Sequence, residues 1–281
     1  MVYTKNEHVV KHWKGHDMDL GLREKVALVL AASKGLGRAS AAALAAEGAA
    51  VTIGARNRQV LEETAQEIQR ESGSHVLAVP TDVTREEDIE GIVAATVGAF
   101  GHIDILVNNA GGPPLGTFET VGDAQWQQAF ELNLLSIVRF VRLVLPHMRK
   151  RGSGRIINIV SISVKQPIDD LILSNAIRMA VVGLAKSLSL ELAPDKITVN
   201  NVCPGRFLTD RLRQGHAFKE QMAQGKSEAE VIRSIAQDIP MGRTGKPEEL
   251  GALVAFLASE QAGYITGTTI QVDGGLVRAV F

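Results

Sequence analysis

The stretch Val26-Ala-Leu-Val-Leu-Ala-Ala-Ser-Lys-Gly-Leu-Gly-Arg-Ala-Ser40, VALVLAASKGLGRAS, decides how the chain is read. Its first five residues are apolar without alternation, the pattern of a strand covered on both faces. A turn carrying Gly35-Leu36-Gly37 follows, and then an Ala-rich run over 36–47 with helical composition. A glycine-bearing turn from strand to helix gathers backbone N–H groups and the helix N-terminus at one point, which suits a pyrophosphate. A G-x-G element alone says little. Placed directly between a first strand and a helix, it becomes a specific signal.

Outward from this unit the alternation continues. VTIGA (51–55) precedes a helix over 57–72, HVLAVPTDV (75–83) one over 85–99, and IDILVNNAG (103–111) a long one near 123–150. RIINIVSIS (155–163) leads to a helix over 174–192, and ITVNNVCPG (197–205) to a polar helical region. A last helix near 247–258 precedes TTIQVDG (268–274). Strands alternating with helices predict an α/β fold: one doubly wound parallel sheet with helices on both faces. No composition shift marks a linker, and no repeat is visible. Residues 21–281 read as one domain with a polar, lid-like segment at about 207–240, and residues 1–20 as an N-terminal extension. In that extension His8, His12 and His16 are spaced so that they could share one helical face, but the stretch reads as a loose tail and no metal is expected.

Of the 281 residues, 45% are hydrophobic and 22% charged, with a formal net charge of −1. Such a balance provides no field to attract nucleic acid or an anionic membrane, and neither is expected as a partner. The single cysteine, Cys203, excludes an internal disulfide and a Cys-rich metal site. With no membrane-length apolar run and no basic-then-apolar leader, the cytoplasm is the expected location.

The motifs together resemble the short-chain dehydrogenase/reductase family, near its 3-oxoacyl-carrier-protein-reductase-like branch. The family's T-G-x-x-x-G-x-G reads here Leu30-Ala31-Ala32-Ser33-Lys34-Gly35-Leu36-Gly37. The likeness continues through Asp82-Val83, Asn108-Asn109-Ala110-Gly111, Asn133, Pro204-Gly205 and Val272-Asp273-Gly274-Gly275, covering about residues 22–276. It implies a Rossmann-type sheet and a dinucleotide held by the loop residues Ala31, Ser33, Lys34 and Leu36. It also implies adenine at Asp82 and Val83, ribose along Asn109-Ala110-Gly111, and the nicotinamide end within Pro204, Gly205, Phe207 and Thr209. The second strand ends at Arg56, without the carboxylate that would hold a ribose 2′-hydroxyl. Arg56 and Lys34 are two cations suited to a 2′-phosphate, so NADP(H) is the expected coenzyme.

The family's chemistry rests on Asn, Ser and a Y-x-x-x-K helix motif. Gly183-Leu184, nine residues beyond the tyrosine position, and Ser161, thirteen before it, place that position at Ser174 and the lysine position at Arg178. The motif therefore reads S-x-x-x-R, and the chain's tyrosines are Tyr3 and Tyr264 only. Asn133, Ser161, Ser174 and Arg178 are the candidate catalytic residues, with Arg178 also expected to hold ribose hydroxyls. The competing reading of Arg178 is an internal ion pair with Asp169, Asp170 or Glu191. Asp169 and Asp170 themselves are candidate caps or substitute acids. Arg206, Arg211 and Arg213 form a charge cluster that suits an acidic substrate, a phosphopantetheine arm or plain solvation.

Three function classes follow. The leading one is an NADP(H)-dependent oxidoreductase acting on a carbonyl or alcohol, small or carrier-bound, through a non-standard proton relay. The others are a dinucleotide-binding protein without redox turnover and non-redox chemistry on the same fold. The resemblance also implies a homotetramer.

Overall fold

The computed structural model describes residues 19–280. His8, His12, His16 and Tyr3 lie outside the described residues. Seven strands form one parallel sheet: β1 (Val26–Leu30), β2 (Ala50–Ala55), β3 (Val76–Pro80), β4 (Ile105–Asn108), β5 (Gly154–Ile159), β6 (Ile197–Pro204) and β7 (Thr269–Val272). Their order is β3-β2-β1-β4-β5-β6-β7. The doubly wound sheet expected from the alternation is present.

Side-chain alternation assigns the two layers. Ala27 and Val29 of β1 join Val51 and Ile53 of β2 under α1 (Gly35–Ala46), α2 (Arg58–Ser72) and α10 (Pro247–Ala258). Leu28 and Leu30 point the other way, into a core shared with α3 (Glu86–Phe100), α5 (Ser136–Arg151) and α6 (Ile172–Glu191). Each β1 side chain is thus covered whichever way it points, which is why VALVL contains no polar residue.

The expected long helix near 123–150 is divided. It comprises α4 (Asp123–Phe130), a π-helical turn (Glu131–Leu135) and α5. Apolar periodicity does not register one extra residue in a turn. The polar segment at 207–240 folds into three short helices, α7 (Asp210–Arg213), α8 (His216–Ala223) and α9 (Glu228–Ala236). Ser227 starts α9 in a reciprocal cap with Glu230.

Beneath the C-terminal end of the sheet runs a ladder of buried amides. Asn108, Asn158, Asn201 and Thr269 are register partners on β4, β5, β6 and β7. Asn108 Nδ2 donates to Asn158 Oδ1 at 2.8 Å, Asn158 Nδ2 to Asn201 Oδ1 at 2.9 Å, and Asn201 Nδ2 to Thr269 Oγ1 at 3.1 Å. Every bond runs the same way, so the Oδ1 of Asn108 is left at one end without a protein partner. Asn158→Leu cuts the ladder in the middle and strands a donor on Asn108 and an acceptor on Asn201. Each such buried group costs about 1–3 kcal/mol, so a loss of about 2–6 kcal/mol is expected in urea unfolding.

Candidate active site

The strand order reverses at β1 and β4, where one half of the chain winds outward to β3 and the other to β7. The crevice above such a point is where open α/β sheets place ligands. Here it is built from the loop after β1, the loop after β4, the π-helical turn and α6.

The loop after β1 is drawn tight. Gly37 packs so closely that a Cβ there would stand 2.4 Å from the carbonyl oxygen of Ala31 and 2.8 Å from Nδ2 of Asn109. Asn109 Nδ2 in turn donates to Ala31 O at 3.3 Å, tying the loops after β1 and β4 together. Ala31 itself has φ +48°, a left-handed conformation that strains a residue bearing a Cβ. The methyl is accommodated, but in the backbone geometry a glycine would adopt freely. Ser33 O accepts from Thr64 Oγ1 at 3.0 Å, and Leu36 packs on the core. Lys34 Nζ stands 3.4 Å from Asp210 of α7, with both side chains exposed. This contact joins the 207–240 segment to the glycine turn, and the sequence pattern gave no sign of it.

Arg56 is exposed at the end of β2 and lies close enough to Asp82 to act on its charge. Burial pulls the Asp82 carboxyl up, but hydrogen bonds from the Thr84 amide and hydroxyl, with the Arg56 and Arg85 charges, outweigh it. The carboxyl is held below its ordinary value. Gly205 meets the residue after β7 so tightly that a Cβ would lie 2.7 Å from that of Asp273. Phe207 is buried in the core against Gly245, and Thr209 begins α7 beside Gly35.

Val83, Asn108, Asn109, Ala110, Asn133 and Arg178 line one cavity below the crevice. Asn133 sits in the π-helical turn; its Nδ2 donates to Gly111 O at 2.9 Å, while its buried Oδ1 has no protein partner. Arg178 is buried on α6, and its Nη1 donates to Ile159 O at 3.2 Å. Among the described residues it has no carboxylate partner, and Asp169 and Asp170 are exposed with carboxylates that accept no hydrogen bond. The ion-pair reading of Arg178 is therefore not realised. Nor do these aspartates cap α6, whose N-cap is Leu171. Burial, and next the nearby Arg211, push the Arg178 guanidinium down to about 10, so it stays protonated at neutral pH but lies well below its ordinary value.

The serine positions converge less directly. Ser161 Oγ accepts from the Ser163 amide at 3.1 Å, capping a 3₁₀ turn (Ile162–Val164). Ser163, absent from the sequence-based candidates, places its Oγ 3.2 Å from that of Ser174, with both residues buried. Its position in an apolar Ser-Ile-Ser-Val run carries no chemical signal. Among the described residues no group of three His, Cys, Asp or Glu side chains could hold a metal ion. No helix among them is long and apolar enough to cross a membrane.

A family model described as Enoyl-(Acyl carrier protein) reductase matches residues 30–277. The chain belongs to the short-chain dehydrogenase/reductase family. It is 37% identical over 255 residues to Dehydrogenase/reductase SDR family member 4 of Oryctolagus cuniculus, covering 90% of this chain and 94% of that protein. L-Sorbose reductase from Gluconobacter frateurii, solved with NADPH and L-sorbose, superposes with a TM-score of 0.90 at 35% identity, over 94% of this chain and all of that one. An actinorhodin polyketide ketoreductase solved with NADPH gives 0.83 at 37% identity, over 90% and 97% of the two chains.

In this short-chain dehydrogenase/reductase Tyr264 is fully exposed, in the turn before β7. Cys203 is buried at the end of β6, where burial above all pushes its thiol up to about 12. Only about one molecule in 10⁴ then carries the thiolate at pH 8. Native protein is expected to resist an aromatic disulfide reagent that titrates one thiol after denaturation. Ala31→Gly should stabilise the fold by up to about 1 kcal/mol in urea unfolding, since relief of the left-handed strain exceeds the added chain entropy.

Proposed function

We propose that the protein is an NADP(H)-dependent oxidoreductase of a carbonyl or alcohol substrate, in which Ser174 and Arg178 occupy the positions of the family's tyrosine and lysine. One observation carries this reading: a buried guanidinium without a carboxylate partner among the described residues lines the cavity together with Val83, Asn109 and Ala110. An uncompensated buried charge is costly unless a ligand completes its hydrogen bonding. The ribose hydroxyls of a dinucleotide would do so.

The residues present fit that coenzyme. Gly37 lets the glycine turn draw tight at the N-terminus of α1, where backbone N–H groups suit a pyrophosphate, and solved relatives of this chain carry NADPH. Arg56 has no ion-pair partner among the described residues and is free to meet a 2′-phosphate. The exposed Lys34–Asp210 contact is worth no more than about 1 kcal/mol, so Lys34 can turn to the same phosphate. Bound NADP(H) supplies or accepts the hydride.

The chain's own residues then hold the substrate oxygen and its proton. Arg178 stabilises the negative charge that develops on that oxygen, in surroundings where a fixed cation acts strongly. Ser161 and the Ser163–Ser174 pair provide hydroxyls for the carbonyl. The partnerless Oδ1 atoms of Asn108 and Asn133, which line the cavity with Arg178, are acceptors suited to a water that delivers the proton. A relay without a positioned tyrosine is expected to be about 10²–10⁴-fold slower than one with it. The absence of any tyrosine from the described cavity also favours a second reading, a dinucleotide-binding protein without turnover. Under the leading reading the short helices at 207–240 cover the substrate, and exposed Met179 and Leu190 of α6 suit the pairing of subunits in a homotetramer.

Calorimetry is expected to show tighter binding of NADPH than of NADH, with Arg56→Asp reversing the order. Equal affinities would remove the 2′-phosphate reading. Arg178→Ala should weaken NADPH binding, and unchanged affinity would make Arg178 structural. Ser174→Tyr with Arg178→Lys should raise NADPH-dependent ketone reduction by about 10–10³-fold by restoring a general acid. A parent that reduces no member of a carbonyl panel, yet binds NADPH, would leave the second reading.

A further inference from the structure

The three arginines near the start of the 207–240 segment differ in what they meet. Arg206 pairs with Asp238 at 2.8 Å, and Arg213 with Glu228 at 2.9 Å. Arg211 has no carboxylate partner among the described residues. Its Nη2 donates instead to Pro113 O at 3.3 Å. The guanidinium lies so near the loop after β4 that a Cβ on Gly112 would stand 2.9 Å from Nη2 and 3.3 Å from Cζ. The absence of a side chain at Gly112 is what admits it.

That loop is the one Asn133 grips through Gly111 O, beside the cavity that Arg178 lines. Arg211 is not among the residues that line that cavity, but it stands on the loop at its edge, near enough for its charge to act on Arg178. Neither has a carboxylate partner among the described residues. Like charges held together without an anion disfavour each other, and a ligand that brings the anion relieves both.

We propose that Arg211 and Arg178 form an anion site and that the substrate is an oxo acid, a carbonyl compound bearing a carboxylate within a few bonds of its reacting carbon. This rests on the oxidoreductase reading above. The planar fork of Arg211 donates to the two carboxylate oxygens, and Arg178 adds the second charge. A carboxylate fits better than the phosphate of a carrier arm, because an anion that reaches Arg178 must lie close to the reacting carbon. A carrier's phosphate stands at the far end of its arm.

The test compares matched acids and methyl esters, namely 2-oxobutanoate, 3-oxobutanoate and 4-oxopentanoate with their esters, on the full chain saturated with NADPH. At least one acid is expected to exceed its ester in kcat/KM by about 10-fold or more. Arg211→Gln should reduce that acid-to-ester ratio by about 10–100-fold, chiefly through KM, the usual loss for a hydrogen bond between charged groups. Arg211→Lys should restore part of it, and Arg233→Gln, on the exposed side of α9, should leave it unchanged. A parent ratio near or below one for every pair, or a ratio indifferent to Arg211→Gln, overturns the proposal. If no carbonyl compound is turned over, the oxidoreductase reading fails, and calorimetry with the same acids and esters in the presence of NADPH decides the anion site separately. Acid-selective binding that Arg211→Gln abolishes upholds it; equal binding of acid and ester, or none, overturns it.

Discussion

A guanidinium buried on one backbone carbonyl is the constraint around which the rest of the molecule is arranged. Arg178 donates to Ile159 O at the end of β5 and, among the described residues, meets no carboxylate. Removing a cation from water without a counter-charge costs several kcal/mol, and a fold of ordinary stability keeps such a group only where something outside the chain balances it. The neighbouring polar groups share this incompleteness. The amide ladder ends in an unpaired oxygen on Asn108, a residue that lines the same cavity as Arg178, and Asn133 adds another. Two of the partnerless buried polar atoms among the described residues thus belong to residues of one cavity, while the hydroxyls of Thr52 and Thr198 lie elsewhere in the sheet.

Much of this was legible in the sequence because it is written in short-range chemistry. Five apolar residues followed by Gly35-Leu36-Gly37 can be covered on both faces only inside a parallel sheet, and seven strands alternating with helices along the chain leave few other topologies. The position of Arg178 on an otherwise apolar helix face was equally visible. What it meets was not. Asp169, Asp170 and Glu191 lie near enough in sequence to suggest an ion pair, yet helix direction and loop path keep them from it. Ser163 was hidden because a serine in an apolar turn looks like filler until α6 brings Ser174 beside it.

Long-range contacts through the 207–240 segment were also illegible. Its arginines read as a charge cluster with several open uses, and two of them, Arg206 and Arg213, find carboxylates within that segment. Asp210 instead crosses to Lys34 and Arg211 to Pro113, roughly 175 and 100 residues away in sequence. No pattern within the segment distinguishes an arginine that will face its own helix from one that will face a loop on the opposite side of the crevice.

The π-helical turn at Glu131–Leu135 has a consequence for how the site tolerates change in chain length. A turn closed by i→i+5 bonds holds one residue more than the same rise of α-helix requires. Deleting a single residue there would let α4 and α5 fuse into one regular helix with better hydrogen bonding. Downstream of the deletion, α5 would keep its core face toward β4 and β5. Upstream of it α4 would keep its face as well, because the wide turn is what absorbs the extra residue. Only the side chains within the turn would swing, by up to about a third of a turn, 100° at 3.6 residues per turn. The loss would fall on the orientation of Asn133 while the fold relaxed. Here regularity and function are opposed within a single turn: the more ordinary helix is the one that cannot point its amide at Gly111.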